Sequence, residues 1–287
     1  MPKHPIPPPL SPLPVADAPD PVEAAYAPLL AEPVVRAYAA PDGVPGGLRE
    51  RLLRRAVASS AAARPMTTSR ATRLPALEPA PGVRATTLYA ADASRPLRAG
   101  EPQSVRLVEL APGARWTGPG AGRYREWLVL RGRAVLGTEA LGERDYHVQP
   151  RSEAGLTAGS DTGALLFLRE SAVPEEPGDA GLTVRDAEAG WPDYAPGIRR
   201  RVLWQRGAQA AMLYHAQPGA SVPPHHHGHD EECLMVQGEL YLDDVLLQAG
   251  DYQLAPAGTG HRVTATDTGV VVYAHGDLDL RFVAEKV

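Results

Sequence analysis

Four histidines, His225, His226, His227 and His229, stand within five residues and run directly into Asp230, Glu231 and Glu232. A further histidine, His261, follows a turn built on Pro256 and Gly258. Imidazole nitrogens with a single carboxylate form a donor set suited to Zn, Fe, Ni, Cu or Mn. In an extended chain, side chains two apart share a face, so His225 and His227 point the same way. Gly228 starts a turn, and Glu231 opens the next strand, where it can return to that face. A different strand pair delivers His261. A solvated His-rich loop binding metal by chance would leave this second segment unexplained. Glu232 competes with Glu231 for the carboxylate role. The spacing favours Glu231, whereas an internal repeat sets Glu126 over Glu232. Strand alternation puts Cys233 and Met235 on Glu231's side. Cys233, the sole cysteine, reads as a small buried core residue rather than a nucleophile, because no basic neighbour at a fixed position is evident. Tyr214 and Tyr252 are the only acid/base candidates beyond the ligands, and core packing explains them equally well.

From about residue 76, short apolar runs alternate with Gly/Pro turns (VRLVEL, EWLVL, ALLFL, AMLYH, ECLMV, VVVYA), a strand-and-turn pattern pointing to an all-β sandwich or barrel. The pattern occurs twice, at an offset of 106 residues (111 to 217). APGAR lies over QPGAS, Glu126–Gly132 over Glu232–Gly238, Asp145-Tyr146 over Asp251-Tyr252, and Pro150 over Pro256. APGV at 80–83 echoes APGI at 195–198. Two copies of one β-domain are expected, over 76–174 and 182–287, joined by VPEEPGDAG. In the first copy the ligand positions become Pro119, Ala121, Arg125 and Gly155, so that copy is expected to hold no metal and to be structural or to bind something else. His147 falls on no ligand position. Trp116 and Trp127 read as core.

Ahead of the repeat, residues 1–21 are dominated by proline and are expected to be extended or disordered. Residues 22–75 form a helical region and linker. Leu48, Leu52, Leu53, Ala56 and Val57 recur at helical spacing against Arg49, Glu50, Arg54 and Arg55. That amphipathic helix either packs on its own protein or is offered to a partner. The net charge is -5 with no basic stripe, so nucleic acid is not an expected partner. One cysteine excludes a disulfide framework. The N-terminus lacks an apolar signal core, and no run approaches the roughly 18 residues of a membrane span. A cytoplasmic protein without a membrane partner is expected.

The segments HHHGHDEECLMVQGELYLDD and AGDYQLAPAGTGHRV resemble the two signature stretches of the cupin superfamily, and in particular the ChrR-like cupins. Ala265 departs from the Asn that usually ends the second stretch, a residue that is not a ligand. The resemblance implies a mainly β chain of two tandem cupin (double-stranded β-helix, jelly-roll) barrels behind a short helical N-terminal region. It also implies that His225, His227, Glu231 and His261 hold one divalent metal, Zn slightly ahead of Fe, Mn or Ni. ChrR-type anti-sigma factors carry such a domain, and PGGLRERLLRRAV is similar to the helix that precedes it. Their N-terminal module uses a His/Cys zinc site, but residues 5–146 here contain no histidine and the only cysteine is Cys233. That zinc-dependent module cannot form. Three functions follow from the resemblance: a regulator or sensor whose N-terminal helices contact a sigma factor or another protein; a metal-dependent dioxygenase-type enzyme; and a non-catalytic bicupin holding a small molecule in the C-terminal barrel. A homodimer is also compatible.

Overall fold

In the computed structural model, residues 51, 53–55, 57, 65–98, 100–118, 123–151, 155–172, 176–177 and 179–283 are described. The Pro-rich segment 1–21, nearly all of residues 22–64 of the helical region and linker expected over 22–75, Pro119 and Ala121 lie outside them; 65–75 holds the strand Thr67–Ser69 and the 3-10 turn Ala71–Arg73. Residues 51, 53–55 and 57 are helical. Among the described residues no helix is long and apolar enough to cross a membrane. The chain is mainly β.

Val57–Val287 forms one compact unit containing two strand sets with the same pairing order. In the first, Tyr146–Gln149, Tyr124–Gly132, Ala164–Ser171, Pro102–Leu110 and Val83–Ala90 are successive neighbours. In the second the order is Tyr252–Ala255, Glu231–Leu242, Val270–Asp277, Gln209–Ala216 and Ile198–Arg206. Registers agree at the repeat offset: Glu126 lies opposite Val148, and Glu232 opposite Leu254. Each long central strand carries a register shift beside a left-handed glycine, Gly132 at φ +79° and Gly238 at φ +77°. A Cβ on either would strike the carbonyl of Gly163 or Gly269, just ahead of the neighbouring strand, so only glycine fits where these strands kink.

Alternation divides the apolar residues between an inner face and a shared face. Val108, Trp127, Val129, Leu166 and Leu168 fill the first set's interior. Met235, Leu240, Leu242, Val270 and Val272 line that of the second. A third cluster combines both sets, with Leu128, Tyr146, Val148 and Phe167 packed with Leu234, Tyr252, Leu254 and Tyr273.

The ends of the repeat pair differently from the expected division at residues 76 and 182. Thr67–Ser69 pairs with Tyr252–Ala255 of the second set, and Leu182–Val184 with Tyr146–Gln149 of the first. These two strands are 115 residues apart (67 to 182), the offset that also relates Val83 to Ile198. The contacts beside them correspond as well. Arg70 bonds Leu246 O and Asp251, and Arg185 bonds Ala140 O and Asp145. Each copy thus supplies an edge strand to the other.

A polar cluster that is 0–1% exposed links the two strand sets. Arg169 donates to Glu126 and to Glu232, each at 2.8 Å. Tyr146 and Tyr273 donate to Glu126, and Tyr252 donates to Glu232. Burial pushes the Glu126 carboxyl up, but Arg169, His275 and the Tyr273 and Tyr146 hydroxyls together outweigh it and hold Glu126 below its ordinary value. Glu232 is raised by burial. Two carboxyls on one guanidinium tie the sheets together, and removing Arg169 would leave buried carboxylate charge uncompensated.

Candidate metal centre

His225, His227 and Glu231 bring one donor atom each within 4.8 Å of one another. His225 and His226 form a short strand that pairs with Gly260–His261, His225 standing directly opposite His261. His226 is exposed, whereas His225, His227 and His261 are buried. The chain then turns at Gly228, and Glu231 begins the twelve-residue strand Glu231–Leu242. Backbone bonds from His227 N to Thr259 O at 2.9 Å and from Gly258 N to His227 O at 2.8 Å clamp this segment to the turn that delivers His261.

Glu231 Oε2 lies 3.0 Å from His227 Nε2 and 3.7 Å from His261 Nε2. The imidazole centroids are 5.3 Å apart for His225 and His227, 4.9 Å for His227 and His261, and 5.7 Å for His225 and His261. Burial pushes the Glu231 carboxyl up, but the three imidazoles outweigh it and bring it down to about 2. Burial pulls His225 down. It pulls His227 down too, but Glu231 reverses the balance and leaves His227 raised.

The second ring nitrogens identify which atoms face inward. His225 Nδ1 sits 3.0 Å from Pro223 O. Thr259 Oγ1 donates to Pro256 O, which leaves its lone pairs facing His227 Nδ1 at 3.3 Å. His261 Nδ1 faces Asp243 Oδ2 at 3.5 Å. Nδ1 is therefore engaged or faced from outside in all three rings. Nε2 of His261 is buried without a hydrogen-bond partner, and the buried Nε2 of His227 has only the Glu231 carboxylate beside it, at 3.0 Å. Buried imidazole nitrogens are rarely left unpaired, and outer partners on the remote nitrogen are the usual support of a ligating histidine. The donor set fits a divalent metal.

Asp243 and Thr259 were not singled out by spacing. Asp243 occupies the turn after Glu231–Leu242 at φ 53°, a left-handed position that Asp tolerates better than most residues. It also accepts from the backbone N of Arg262 at 3.0 Å. An Asp-Asp pair in the turn just ahead of the second motif was the available signal.

The remaining candidates separate by face. Glu232 points away from the imidazoles and into the cluster around Arg169. Tyr252 donates to Glu232 there, whereas Tyr214 and Cys233 line a cavity of about 70 Å³ that reaches His225, Glu231 and His261. Burial pushes the Cys233 thiol well up, which opposes thiolate formation. Met235 lies in the same interior cluster. His229 is partly exposed and pairs with Asp277 at 2.5 Å. In the first set, Arg125 at the Glu231 position is buried beside Glu170 and Gln149. His147 is buried against Thr183 at 2.9 Å. Trp127 is buried and Trp116 packs edge-on to it at 6.3 Å.

Solved structures with this arrangement of strands define the class. A candidate dioxygenase from Nostoc punctiforme superposes with a TM-score of 0.62 at 16% identity, over 77% of this chain and 85% of its own. A variant of oxalate decarboxylase from Bacillus subtilis gives 0.55 at 16% identity, over 76% and 78%. The protein YlbA from Escherichia coli gives 0.58 at 16% identity, over 76% and 93%. The chain has a cupin-type jelly-roll fold. More narrowly, residues 179–279 match the ChrR cupin-like domain family. No curated protein matches the chain.

Proposed function

We propose that the chain is a bicupin, two tandem cupin barrels of which the second holds one divalent metal through His225, His227, Glu231 and His261 and serves a ChrR-like sensor or regulator. The observation that carries this reading is the convergence of the buried Nε2 atoms of His227 and His261 on Glu231 Oε2, at 3.0 and 3.7 Å, with His261 Nε2 making no hydrogen bond. Four side-chain donors suit a closed zinc site, the slightly favoured occupant. When bound, such an ion supplies positive charge and Lewis acidity at the floor of the cavity. Glu231 neutralises part of that charge, Pro223 O, Thr259 and Asp243 orient the rings, and the apolar walls limit water. In a regulator the helical region before residue 65 would contact a sigma factor or another protein.

A metal-dependent dioxygenase-type enzyme is the second reading. It is favoured by the cavity that opens directly onto the ligands, since a purely structural metal needs no such space.

Elemental analysis and X-ray absorption of the purified full chain test the reading. One divalent ion per chain with mixed imidazole and carboxylate ligation is expected. Replacing His227 or His261 by Ala should release most of it, while Gly155→Ala in the first copy should leave metal content unchanged. A wild-type chain that refuses divalent ions would refute the metal centre. Removing residues 1–56, which leaves the exchanged strand Thr67–Ser69 intact, separates the two functions. A regulator loses partner binding, and an enzyme keeps its turnover.

A further inference from the structure

We propose that the interior of the second barrel is a chamber for a compact, uncharged, largely apolar molecule bearing one oxygen donor, with the Thr264 hydroxyl as its polar contact. The proposal rests on the metal centre above and names what would lie against it.

The two copies place the same backbone around different contents. At the repeat offset, Cys233 stands where the first copy has Trp127, and Ala274 where it has Leu168. Trp127 and Leu168 are buried in the first interior, 1% and 0% exposed. Their small counterparts both line the cavity of about 70 Å³ in the second. An indole and an isobutyl group give way to a thiol and a methyl, and the space lies beside Glu231 and His225. Core voids of this kind cost stability when they serve nothing.

The walls specify the chemistry. Tyr214, Val222, Leu240, Val270, Val272 and Leu280 are among them, and no lysine or arginine is. Arg200 lies outside the lining; it stacks on Tyr194 at 4.2 Å and donates to Leu278 O. A dianion would find no cationic side chain to match its second charge, and Glu231 would repel it. Thr264 replaces Ala158 of the first copy. Its Oγ1 is buried in the wall without a hydrogen-bond partner, a group that gains when a ligand oxygen reaches it. The volume is about half that of a ~150 Å³ engineered cavity that takes benzene, which sets a scale of about three to five heavy atoms.

Butan-2-one is a suitable probe, titrated into the full chain loaded with Zn(II) and followed by NMR of the Ala274 and Val272 methyl groups, with metal content measured on the same sample. Saturable binding is expected. Ala274→Leu, which restores the first copy's residue, should weaken it by about tenfold or more. Thr264→Val, of the same shape, should weaken it by about three- to tenfold, the loss of one neutral hydrogen bond. Neither should change metal content, and oxalate should bind more weakly than the ketone. No saturation in a fully metallated chain would overturn the chamber while leaving the metal centre standing. Wild-type affinity in Thr264→Val, or oxalate binding more tightly than the ketone, would overturn the assignment of ligand class. Should the wild type take up no metal, the metal centre fails, and the ketone titration of metal-free wild type and Ala274→Leu still decides the chamber. If Ala274→Leu does not fold, Thr264→Val carries the test.

Discussion

At the position of Glu231 the first strand set carries Arg125, at that of His261 it carries Gly155, and at that of Asp243 it carries Gly137. The ladders around these residues are nevertheless in the same register, and the exchanged edge strands and their arginine anchors correspond one to one. Ligands and outer support differ together, while the residues facing the partner sheet keep their character: Glu126 matches Glu232, and Tyr146 matches Tyr252. The difference teaches that this fold is held by its backbone pairing and by the face the two sets share. The interior is free to be filled, as around Trp127, or left open and armed, as around Cys233. The first set keeps the strand pairing without the candidate donor residues, because none of those residues belongs to the shared core.

That division breaks most sharply at Arg169. Replacing it with Met leaves Glu126 and Glu232 buried without their common cation, and the whole unit should lose about 3–5 kcal/mol. Urea unfolding measures this. A change confined to one strand set would refute a shared scaffold. Asp243 sharpens the comparison from the other side. Asp243→Gly copies the first set's Gly137 and relieves the positive φ, so a purely structural Asp predicts unchanged or better folding and unchanged metal affinity. Orientation of His261 predicts a loss of about 10- to 100-fold in metal affinity, with Asp243→Asn, which keeps an acceptor, largely retaining it. Competition with a chromogenic chelator distinguishes the two.

The smallest effect concerns acid. His275 stands where the first set has Arg169, and burial lowers it to about 3. It is neutral when folded, whereas an unfolded histidine binds a proton below about 6.5. The unfolded chain then holds more protons, so stability falls as pH drops from about 6.5 toward 3. Glu126, held low, has the same sign: its contribution is present above about 4.3 and is lost as pH falls through its lowered folded value. His275→Gln should flatten the upper part of this decline by about one proton, or about 1.4 kcal/mol per pH unit. An unchanged slope between about pH 6.5 and 4.5 would show that His275 is charged in the folded chain.

Much of this was legible because it is local. Two residues apart in an extended chain means one face, so His225 and His227 could be paired by inspection, and a turn plus a short return brings Glu231 to them. The repeat offset likewise appears intact in the strand registers. Other features depend on distance through space. The choice between Glu231 and Glu232 was a choice between two faces of one strand, and the structure places Glu231 among the imidazoles and Glu232 against Arg169. Asp243 reaches His261 only because a hairpin folds over the second motif. Leu182–Val184 and Thr67–Ser69 are three-residue strands, too short for a periodic signal, and their partners lie in the other copy.

Residue types and their spacing alone singled out the candidate donor set, the internal repeat and the different residues at the matching positions of the first copy, since each depends on chemistry or on a period of two along one strand. Which carboxylate faces inward, which side chains orient the imidazoles, and that one interior is hollow where the other is filled were decided only by the tertiary structure. These depend on how sheets pack across the sequence, and a void or an orphaned nitrogen exists only once its neighbours are in place.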